Sequence, residues 1–354
     1  MNNKVYKVIG IMSGSSLDGL DIAYCNFQFS DSWHFEIIKA ITIEYPEEWQ
    51  LYLKEAPNMS ASELTHLDIE YGKYIGEKTA EFIRNEKITP DLISSHGHTV
   101  FHEPEKGFTL QIGNGQAIAN LTGIRTIYDF RTEDILNGGQ GAPLVPIGDE
   151  LLFSNYDFCI NIGGIANISY NDGDKRVGYD ICPANQLLNY LALQLGKPYD
   201  TNGNYASLGK LNLKLFKQLN SHPYYEMSYP KSISNQLVVD SFVPILEQSD
   251  TSVEDSLYTV CKHIAYQINR SVKKTGGSSL LITGGGAHNR FLVNAIEMET
   301  LCQVIIPDNR TIDYKESLIF GFMGLLRSLG ISNCLASATG AKCNSIAGII
   351  AGID

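Results

Sequence analysis

The chain has 354 residues, of which 44% are hydrophobic and 19% charged, and it carries a net charge of −12 at neutral pH. This length exceeds a typical single hydrophobic core, so two lobes are expected. The acidic balance argues against a general nucleic-acid-binding protein, because phosphate backbones require clustered lysines and arginines. It leaves a nucleotide site open, since one phosphate needs only a few local N–H donors.

The seven cysteines are scattered, odd in number and without a C-x-x-C pair. This usage favours a reducing compartment and argues against a disulfide framework or a zinc site. The first apolar run is short and interrupted by glycine, unlike a secretion signal, and no stretch reaches the roughly 18–20 apolar residues of a membrane span. We therefore expect a cytoplasmic protein that binds neither nucleic acid nor a membrane.

The first part of the chain predicts a three-stranded meander, a helix and a fourth strand. The predicted strands are Val5–Met12, Leu20–Phe29, His34–Ile43 and Asp91–Ser95. The helix begins at Ser60-Ala61-Ser62-Glu63, which has the capping-box pattern and is followed by apolar residues at helical spacing. The fourth strand leads into the polar loop His96-Gly97-His98-Thr99.

The same order of elements begins again near Asp157. The predicted strands are Phe158–Ile162, Ile165–Tyr170 and Arg176–Ile181, and Pro183 is placed to open a helix over Ala184–Leu195. A long amphipathic helix then begins at a second capping pattern, Ser252-x-x-Asp255, and a strand over Leu280–Ile282 runs into Gly284. The fold class is therefore α/β, with two halves that each open with a strand, a glycine turn and a second strand.

Between the two halves, the segment Asn137–Pro143 is the most glycine-rich. A flexible crossing between the halves is one interpretation. An active-site loop is an equally good one, because the segment closely follows Asp129-Phe130-Arg131.

Three glycine turns are candidates for nucleotide binding. The Ser13–Asp21 turn offers N–H groups and hydroxyls that can converge on an anion, with Asp18 near a metal-bound water; an ordinary hairpin turn explains it equally well. Gly163-Gly164 is a second such turn, and Gly284–Gly286 would let a purine or ribose approach the backbone. No Rossmann or P-loop motif is present. Together, two equivalent hairpin turns can hold a polyphosphate from opposite sides while the third holds the nucleoside.

Several polar residues have both a catalytic and a structural interpretation. Asp180 ends a strand and can serve as a general base, although a helix cap is the commoner role for such an aspartate. Asp129 and Arg131 are equally consistent with an ordinary ion pair, and Glu316 with compensation of a helix dipole. The three histidines at 96, 98 and 102 are more typical of polar loop contacts than of metal ligands.

Eight segments, in order along nearly the whole chain, resemble the anhydro-N-acetylmuramic acid kinase family, which belongs to the actin/sugar-kinase/Hsp70 superfamily. The segments are GIMSGSSLDGLDIA, SSHGHTVFH, TLQIGNGQAIANLTGI, YDFRTEDILNGGQGAPLVP, NIGGIANIS, YDICPANQLLNYLA, LITGGGAHNRFL and YKESLIFGFMG. The resemblance implies two ribonuclease-H-like lobes of the βββαβα type that face each other across a nucleotide cleft. We place the N-terminal lobe at 1–130 and the C-terminal lobe at 131–354, with the last helices packing back on the first lobe.

The resemblance also implies an activity and a set of site residues. Members of the family use ATP, with Mg²⁺, to phosphorylate 1,6-anhydro-N-acetylmuramic acid while water opens its anhydro bridge, a step of peptidoglycan recycling. Asp180 matches the catalytic base. The residues matching the ATP site are Gly14, Ser15, Ser16, Leu17, Asp18, Gly19, Leu20, Asp21, Gly163, Gly164, Gly284, Gly285 and Gly286. The positions matching sugar contacts are Thr99, Asp129, Arg131 and Glu316. A homodimer is implied, whereas the metal ligands stay undefined.

The sequence departs from the family pattern in four places. Ser15 replaces a usual threonine, His98 a usual glutamine, and Ile181-Cys182 a frequent Thr-Gly pair. Ser234-Asn235-Gln236 stands where Gly-Arg-Glu is usual. Two alternatives therefore stay open: a kinase of the same fold that acts on a related sugar, and a catalytically silent sugar or nucleotide sensor. Retention of Asp180 with all three glycine turns favours an active kinase.

Overall fold

The computed structural model describes residues 4–14, 17, 19–273 and 276–352. The chain forms two compact units, the first made of Met1–Leu152 with Tyr314–Asp354 and the second of Phe153–Asp313. The division differs from the one expected after residue 130, because 131–152 and 314–354 make their contacts within the first unit. Asn137–Pro143 accordingly lies inside the first unit and is not the crossing segment.

The first unit is built on a six-stranded sheet in the order β13-β7-β4-β1-β2-β3, with a separate β5-β6 hairpin. Its strands are β1 (Val5–Ser13), β2 (Gly19–Phe29), β3 (Trp33–Glu44), β4 (Leu92–Ser95), β5 (His98–Glu103), β6 (Phe108–Ile112), β7 (Thr126–Tyr128) and β13 (Ile349–Ala351). Its helices are α1 (Glu47–Glu55), α2 (Ala61–Glu86), α3 (Gly115–Thr122), α4 (Thr132–Leu136), α5 (Pro146–Leu152) and α13 (Ala336–Thr339), together with α12 (Asn309–Ser328), which begins in the second unit.

The second unit is built on a five-stranded sheet in the order β10-β9-β8-β11-β12. Its strands are β8 (Phe158–Ile162), β9 (Ile165–Asp172), β10 (Lys175–Pro183), β11 (Ser279–Thr283) and β12 (Gln303–Ile305). Its helices are α6 (Asn185–Gln194), α7 (Leu213–Asn220), α8 (Asn235–Leu237), α9 (Val243–Glu247), α10 (Val253–Val272) and α11 (Arg290–Glu299). A π-helical turn, Val238–Phe242, joins α8 to α9.

Both sheets have the strand order expected of a ribonuclease-H-like lobe. In each, three antiparallel strands form a meander, and two later strands then pair in parallel on the side of the first strand. In the first unit, β13 adds an antiparallel edge beside β7. The predicted fold class and both predicted meanders are confirmed.

Local sequence signals explain where the long helices begin. The Ser60 Oγ accepts a hydrogen bond from the Glu63 N–H, and the Glu63 carboxylate accepts one from the Ser60 N–H, so the predicted capping box is formed. The Ser252 Oγ caps α10 by accepting from the Asp255 N–H, which is one half of the predicted capping box. The prediction for Pro183 was wrong, because Pro183 is the last residue of β10 and α6 begins at Asn185. β10 pairs with β9 as far as Pro183, and this pairing prevails over the preference of proline for the first turn of a helix.

No helix among the described residues is long and apolar enough to cross a membrane.

Candidate active site

Helix α12 lies directly against β1 because two glycines face each other there. A Cβ built on Gly10 would fall 1.8 Å from the main-chain oxygen of Ser317, and one built on Gly321 would lie 3.2 Å from the Gly10 Cα. The strand and the helix therefore approach at a distance that no other residue pair would allow. This packing fixes the position of Glu316, which precedes Ser317 on α12.

The hairpin between β1 and β2 contains the first predicted phosphate turn. Ser13 pairs with Leu20 and Met12 with Asp21, so the predicted residues Leu20 and Asp21 lie within β2. Leu17 has a φ of 58°, and its N–H donates to the Gly14 oxygen at 3.5 Å. Ser15, Ser16 and Asp18 lie outside the described residues. The Asp21 carboxylate accepts a 2.6 Å hydrogen bond from the Thr42 hydroxyl.

A buried hydrogen-bond chain joins this hairpin to the His96–Thr99 loop. The Ser13 Oγ accepts from the Tyr45 hydroxyl at 2.9 Å and lies 3.4 Å from Nδ1 of His98. Tyr45 in turn shares a 2.6 Å hydrogen bond with Tyr71. Burial lowers the pKa of His98 to about 4, so this histidine is neutral near pH 7. His98 is thus a neutral partner of the hairpin between β1 and β2.

Arg131 is held by the loop that follows β4. Its Nε donates to Nε2 of His96 at 3.0 Å, and its Nη1 donates to the Gly141 oxygen at 2.7 Å. Burial lowers the pKa of Arg131 to about 10, and the negative charge of Glu316 opposes this shift. Gly141 belongs to the glycine-rich segment Asn137–Pro143. This segment therefore helps to hold the Arg131 side chain in place.

The other predicted sugar-contacting residues, Asp129, Glu316 and Thr99, also belong to the first unit. Asp129 has a left-handed backbone with φ of 57°, and its Oδ1 accepts from the Thr132 N–H at 3.2 Å. Burial raises the pKa of Glu316, and Arg131 is the strongest influence opposing that rise. The Thr99 hydroxyl accepts a 3.3 Å hydrogen bond from the Gln111 amide. Arg131 and Glu316 therefore interact electrostatically, as cation and anion.

Lys315, beside Glu316 on α12, forms a buried ion pair with Asp149 of α5. The Nζ–Oδ1 distance is 2.7 Å, and the two side chains are only 5% and 4% exposed. Sequence reasoning did not select either residue, since a lysine before a helical glutamate reads as a surface residue. Lys315 directly follows Tyr314, where α12 departs from helical geometry. The ion pair therefore anchors the part of α12 that carries Glu316.

In the second unit, the Gly163-Gly164 turn is locked to the start of α6. The Gly164 oxygen accepts from the N–H groups of Ala184 and Gln186 at 2.9 and 3.1 Å. The Gly163 oxygen accepts from the Asn185 N–H at 3.1 Å. Because both carbonyl groups are used in this way, the turn has one fixed orientation.

Four of the predicted nucleotide-site glycines in the second unit, Gly163, Gly284, Gly285 and Gly286, form two groups that differ in the contacts an added side chain would make. Gly284 has a φ of 80° and a built Cβ only 2.3 Å from the Asn161 Oδ1, and a Cβ on Gly286 would fall 2.3 Å from the Ile162 side chain. The fold itself therefore requires these two glycines. Gly163 and Gly285 have ordinary φ angles, and their nearest atoms lie 3.7 Å from a built Cβ. Packing against the described residues does not explain why these two positions are glycine.

Asp180 lies on β10, opposite Asn167 of β9 and just before a bulge that ends at Cys182. Its Oδ2 accepts a 2.8 Å hydrogen bond from the Ile233 N–H. Burial raises the pKa of Asp180, and the hydrogen bond from Ile233 partly offsets this. The helix-cap interpretation was wrong, because the N-cap of α6 is Ala184 and no side chain caps it.

The structure brings some of the predicted residues together in each unit. In the first unit, Arg131 hydrogen-bonds His96 and interacts electrostatically with Glu316, whereas the Asp21 side chain contacts Thr42 and the Thr99 side chain contacts Gln111. In the second, the Gly163 turn and Gly284 meet at Asn161 and Ile162, beside the strand pair that carries Asp180. Among the described residues, no group of three or more His, Cys, Asp or Glu side chains is placed to hold a metal ion.

Each unit is built on a sheet with the ribonuclease-H-like strand order, which defines the fold class of this protein. The anhydro-N-acetylmuramic acid kinase family matches residues 6–352. The chain therefore belongs to this family and is a phosphotransferase.

Curated relatives agree with the family match. The anhydro-N-acetylmuramic acid kinase of Shewanella pealeana is 33% identical over 368 residues and covers 98% of each chain. The enzyme of the same name from Hydrogenovibrio crunogenus is 31% identical over 367 residues, with the same coverage. A solved structure of a ROK family glucokinase from Streptomyces griseus, in complex with glucose and AMPPNP, has a TM-score of 0.44 and 11% identity. It covers 90% of this chain and 99% of its own.

Proposed function

We propose that this protein uses ATP to phosphorylate 1,6-anhydro-N-acetylmuramic acid on O6 while water opens the anhydro bridge. The products would be N-acetylmuramic acid 6-phosphate and ADP. The protein would thereby recycle murein-derived amino sugar in the cytoplasm, as a homodimer. The observation that carries the proposal is Asp180: a carboxylate with a raised pKa, one oxygen fixed by a main-chain donor, on the strand beside a glycine turn.

Asp180 would act as the general base of the hydrolytic half of the reaction. It removes a proton from water, and the water oxygen forms a bond to the anomeric carbon C1 while the C1–O6 bond breaks. The electron pair of that bond stays on O6, which takes the γ-phosphoryl group as the bond to ADP breaks. Burial supports this role because it raises the proton affinity of the carboxylate.

Most of the proposed nucleotide contacts are formed by main-chain groups. The turn at 14–21 and the Gly163-Gly164 turn would bind phosphates, and Gly284–Gly286 would lie against the nucleoside. Support comes from Gly163 and Gly285, where no packing contact explains the missing side chain. Mg²⁺ would bind with the nucleotide, because this ion keeps several waters and takes few protein ligands; it supplies charge neutralisation on the phosphates.

The proposed sugar contacts are Thr99, Asp129, Arg131 and Glu316. Arg131 is a fixed cation whose Nε–H and one Nη1–H are donated to His96 and Gly141, which leaves the second Nη1–H and the two Nη2–H groups as further donors. A guanidinium held this way suits the carboxylate of the lactyl group of the sugar. Glu316 would accept from a sugar hydroxyl.

The decisive test measures ADP release with the anhydro sugar for the wild-type protein and for Asp180→Asn. We expect sugar-dependent ADP release that falls by about 10²–10⁴-fold in the variant, with sugar binding retained by calorimetry. A wild-type protein that binds the sugar but releases no more ADP than the variant would be a silent sensor. ADP release with another amino sugar but not with this one would indicate the related-sugar kinase.

Isotopic labelling tests the role of water separately. In H₂¹⁸O, the phosphorylated product should carry ¹⁸O at C1, after correction for exchange of the free anomeric hydroxyl. A product without label at the earliest times would contradict water attack, even if phosphoryl transfer occurs.

A further inference from the structure

Asp180 lies on the edge strand of its sheet, and a segment outside the sheet completes its hydrogen bonding. β9 pairs with only one side of β10. On the other side, the main-chain N–H of Asp180 donates to the main-chain oxygen of Lys231 at 3.2 Å. The main-chain oxygen of Asp180 accepts from the Tyr224 hydroxyl at 2.6 Å. The main chain at Asp180 is therefore held from both sides.

The same segment also reaches the carboxylate. The Ile233 N–H donates to Oδ2 at 2.8 Å, and no other described residue donates a hydrogen bond to this carboxylate. One oxygen is thus fixed by the main chain, while Oδ1 keeps its lone pairs for a proton. This is the arrangement that a general base with a single orientation requires.

The donor is itself rigidly placed. The Ile233 side chain is only 5% exposed and packs in the core of the second unit. The next residue, Ser234, caps α8 through the Leu237 N–H at 3.1 Å. Asn235 accepts a 2.6 Å hydrogen bond from Gln186, on the helix that holds the Gly163-Gly164 turn. The N–H is therefore fixed from both ends of its segment.

We propose that the main-chain N–H of Ile233 is the positioning group of the catalytic base: it fixes Oδ2 of Asp180 and turns Oδ1 toward the attacking water. This inference rests on the proposed function, since it assigns a partner to the base of that reaction. Ser234, Asn235 and Gln236 stand where Gly-Arg-Glu is usual, and the contact from the Ile233 N–H is formed with these residues in place. The side chains of Ser234 and Asn235 hold the segment through their own hydrogen bonds.

The surrounding ionisable groups favour the same assignment. Cys182 follows Asp180 by two residues on β10. The Tyr224 hydroxyl contacts the main-chain oxygen of Asp180, and the Lys231 Nζ lies 4.5 Å from the centroid of the Tyr224 ring. Burial raises the pKa values of Cys182 and Tyr224, so both are neutral near pH 7. The Ile233 N–H lowers the pKa of the Asp180 carboxyl against the effect of burial.

The experiment compares Ile233→Pro with Ile233→Ala. Both variants lose the buried side chain, but only proline loses the N–H. We expect kcat with the anhydro sugar to fall about 10- to 100-fold further in Ile233→Pro than in Ile233→Ala. The acidic limb of the kcat/KM profile should move to higher pH in Ile233→Pro alone, because the charged carboxylate has lost its donor. Equal kcat and equal pH profiles in the two variants would overturn the inference.

Two further measurements keep the result interpretable. If Ile233→Pro does not fold, the α-hydroxy acid counterpart of isoleucine at position 233 removes the N–H and keeps the side chain. A carboxyl ¹³C titration, with Asp180→Asn used to assign the resonance, reports the same pKa shift without turnover. A shift in an inactive protein would support the contact while the proposed function fails. An active wild type without any shift would overturn only the positioning role.

Discussion

Arg131 donates from its Nε to Nε2 of His96, across 3.0 Å. Nδ1 of the same histidine lies 2.8 Å from the Gly97 oxygen, so Nδ1 carries the proton and Nε2 is the acceptor. Burial and the charge of Arg131 hold the pKa of His96 well below its usual range. The neutral tautomer therefore persists near pH 7, and the histidine works as a fixed acceptor that orients the guanidinium.

His96→Ala should weaken sugar binding. The substitution leaves the Nε–H of Arg131 without a partner, which costs about 1–3 kcal/mol, and we expect the KM for the anhydro sugar to rise about tenfold or more with a smaller change in kcat. The matched control is His102→Ala on β5, where the exposed histidine lies 3.3 Å from the Thr109 hydroxyl and, among the described residues, forms no hydrogen bond with Arg131. Steady-state kinetics with the sugar varied would check this. An unchanged KM in His96→Ala would contradict the orienting role.

Alanine substitutions should separate the glycines that serve the fold from those that serve the nucleotide. Gly163→Ala and Gly285→Ala should keep the thermal midpoint near the wild-type value, because a Cβ has room there. Each should raise the KM for ATP by about tenfold, equivalent to about 1.4 kcal/mol. Gly284→Ala places a side chain at a positive φ, at a cost of about 1–2 kcal/mol, and should lower the midpoint. If all three variants lost stability alike, the distinction would be invalid.

The repeated strand–turn–strand pattern was readable from the sequence because β-strands and turns have strong local signals. The capping box at Ser60 and Glu63 likewise predicted the start of α2 correctly. The boundary between the units was not readable, since Leu152 is the last residue of one helix and Tyr314 lies inside another, and neither position carries a linker composition. The resemblance identified Asp180, but it did not identify the Ile233 N–H that donates to its carboxylate. This donor belongs to the main chain 53 residues away, so the identity of the side chain at position 233 does not reveal the contact.

The buried Lys315–Asp149 pair should contribute far more to stability than an exposed pair of the same length. Lys315→Met leaves a buried carboxylate without its partner and should lower the free energy of unfolding by about 3–5 kcal/mol. The double variant Lys315→Met/Asp149→Leu should recover much of this loss. Lys73→Met is the control, because its 2.7 Å pair with Glu70 is exposed and worth under about 1 kcal/mol. Denaturant unfolding curves would check this order, and equal losses in the two single variants would contradict it.

Asp180→Asn should stabilise the protein at neutral pH while it lowers turnover by about 10²–10⁴-fold. Burial raises the pKa of Asp180 in the folded state above that in the unfolded chain. The folded state therefore binds this proton more tightly, and the carboxyl costs stability once the pH rises through the folded-state pKa. Asparagine carries no charge and still accepts from the Ile233 N–H, so the variant should have the higher thermal midpoint at pH 7. The difference should shrink as the pH is lowered through the folded-state pKa, where wild-type Asp180 is also neutral. Thermal unfolding of both proteins across that range would measure it, and a variant less stable at pH 7 would show that the charged carboxylate stabilises the fold.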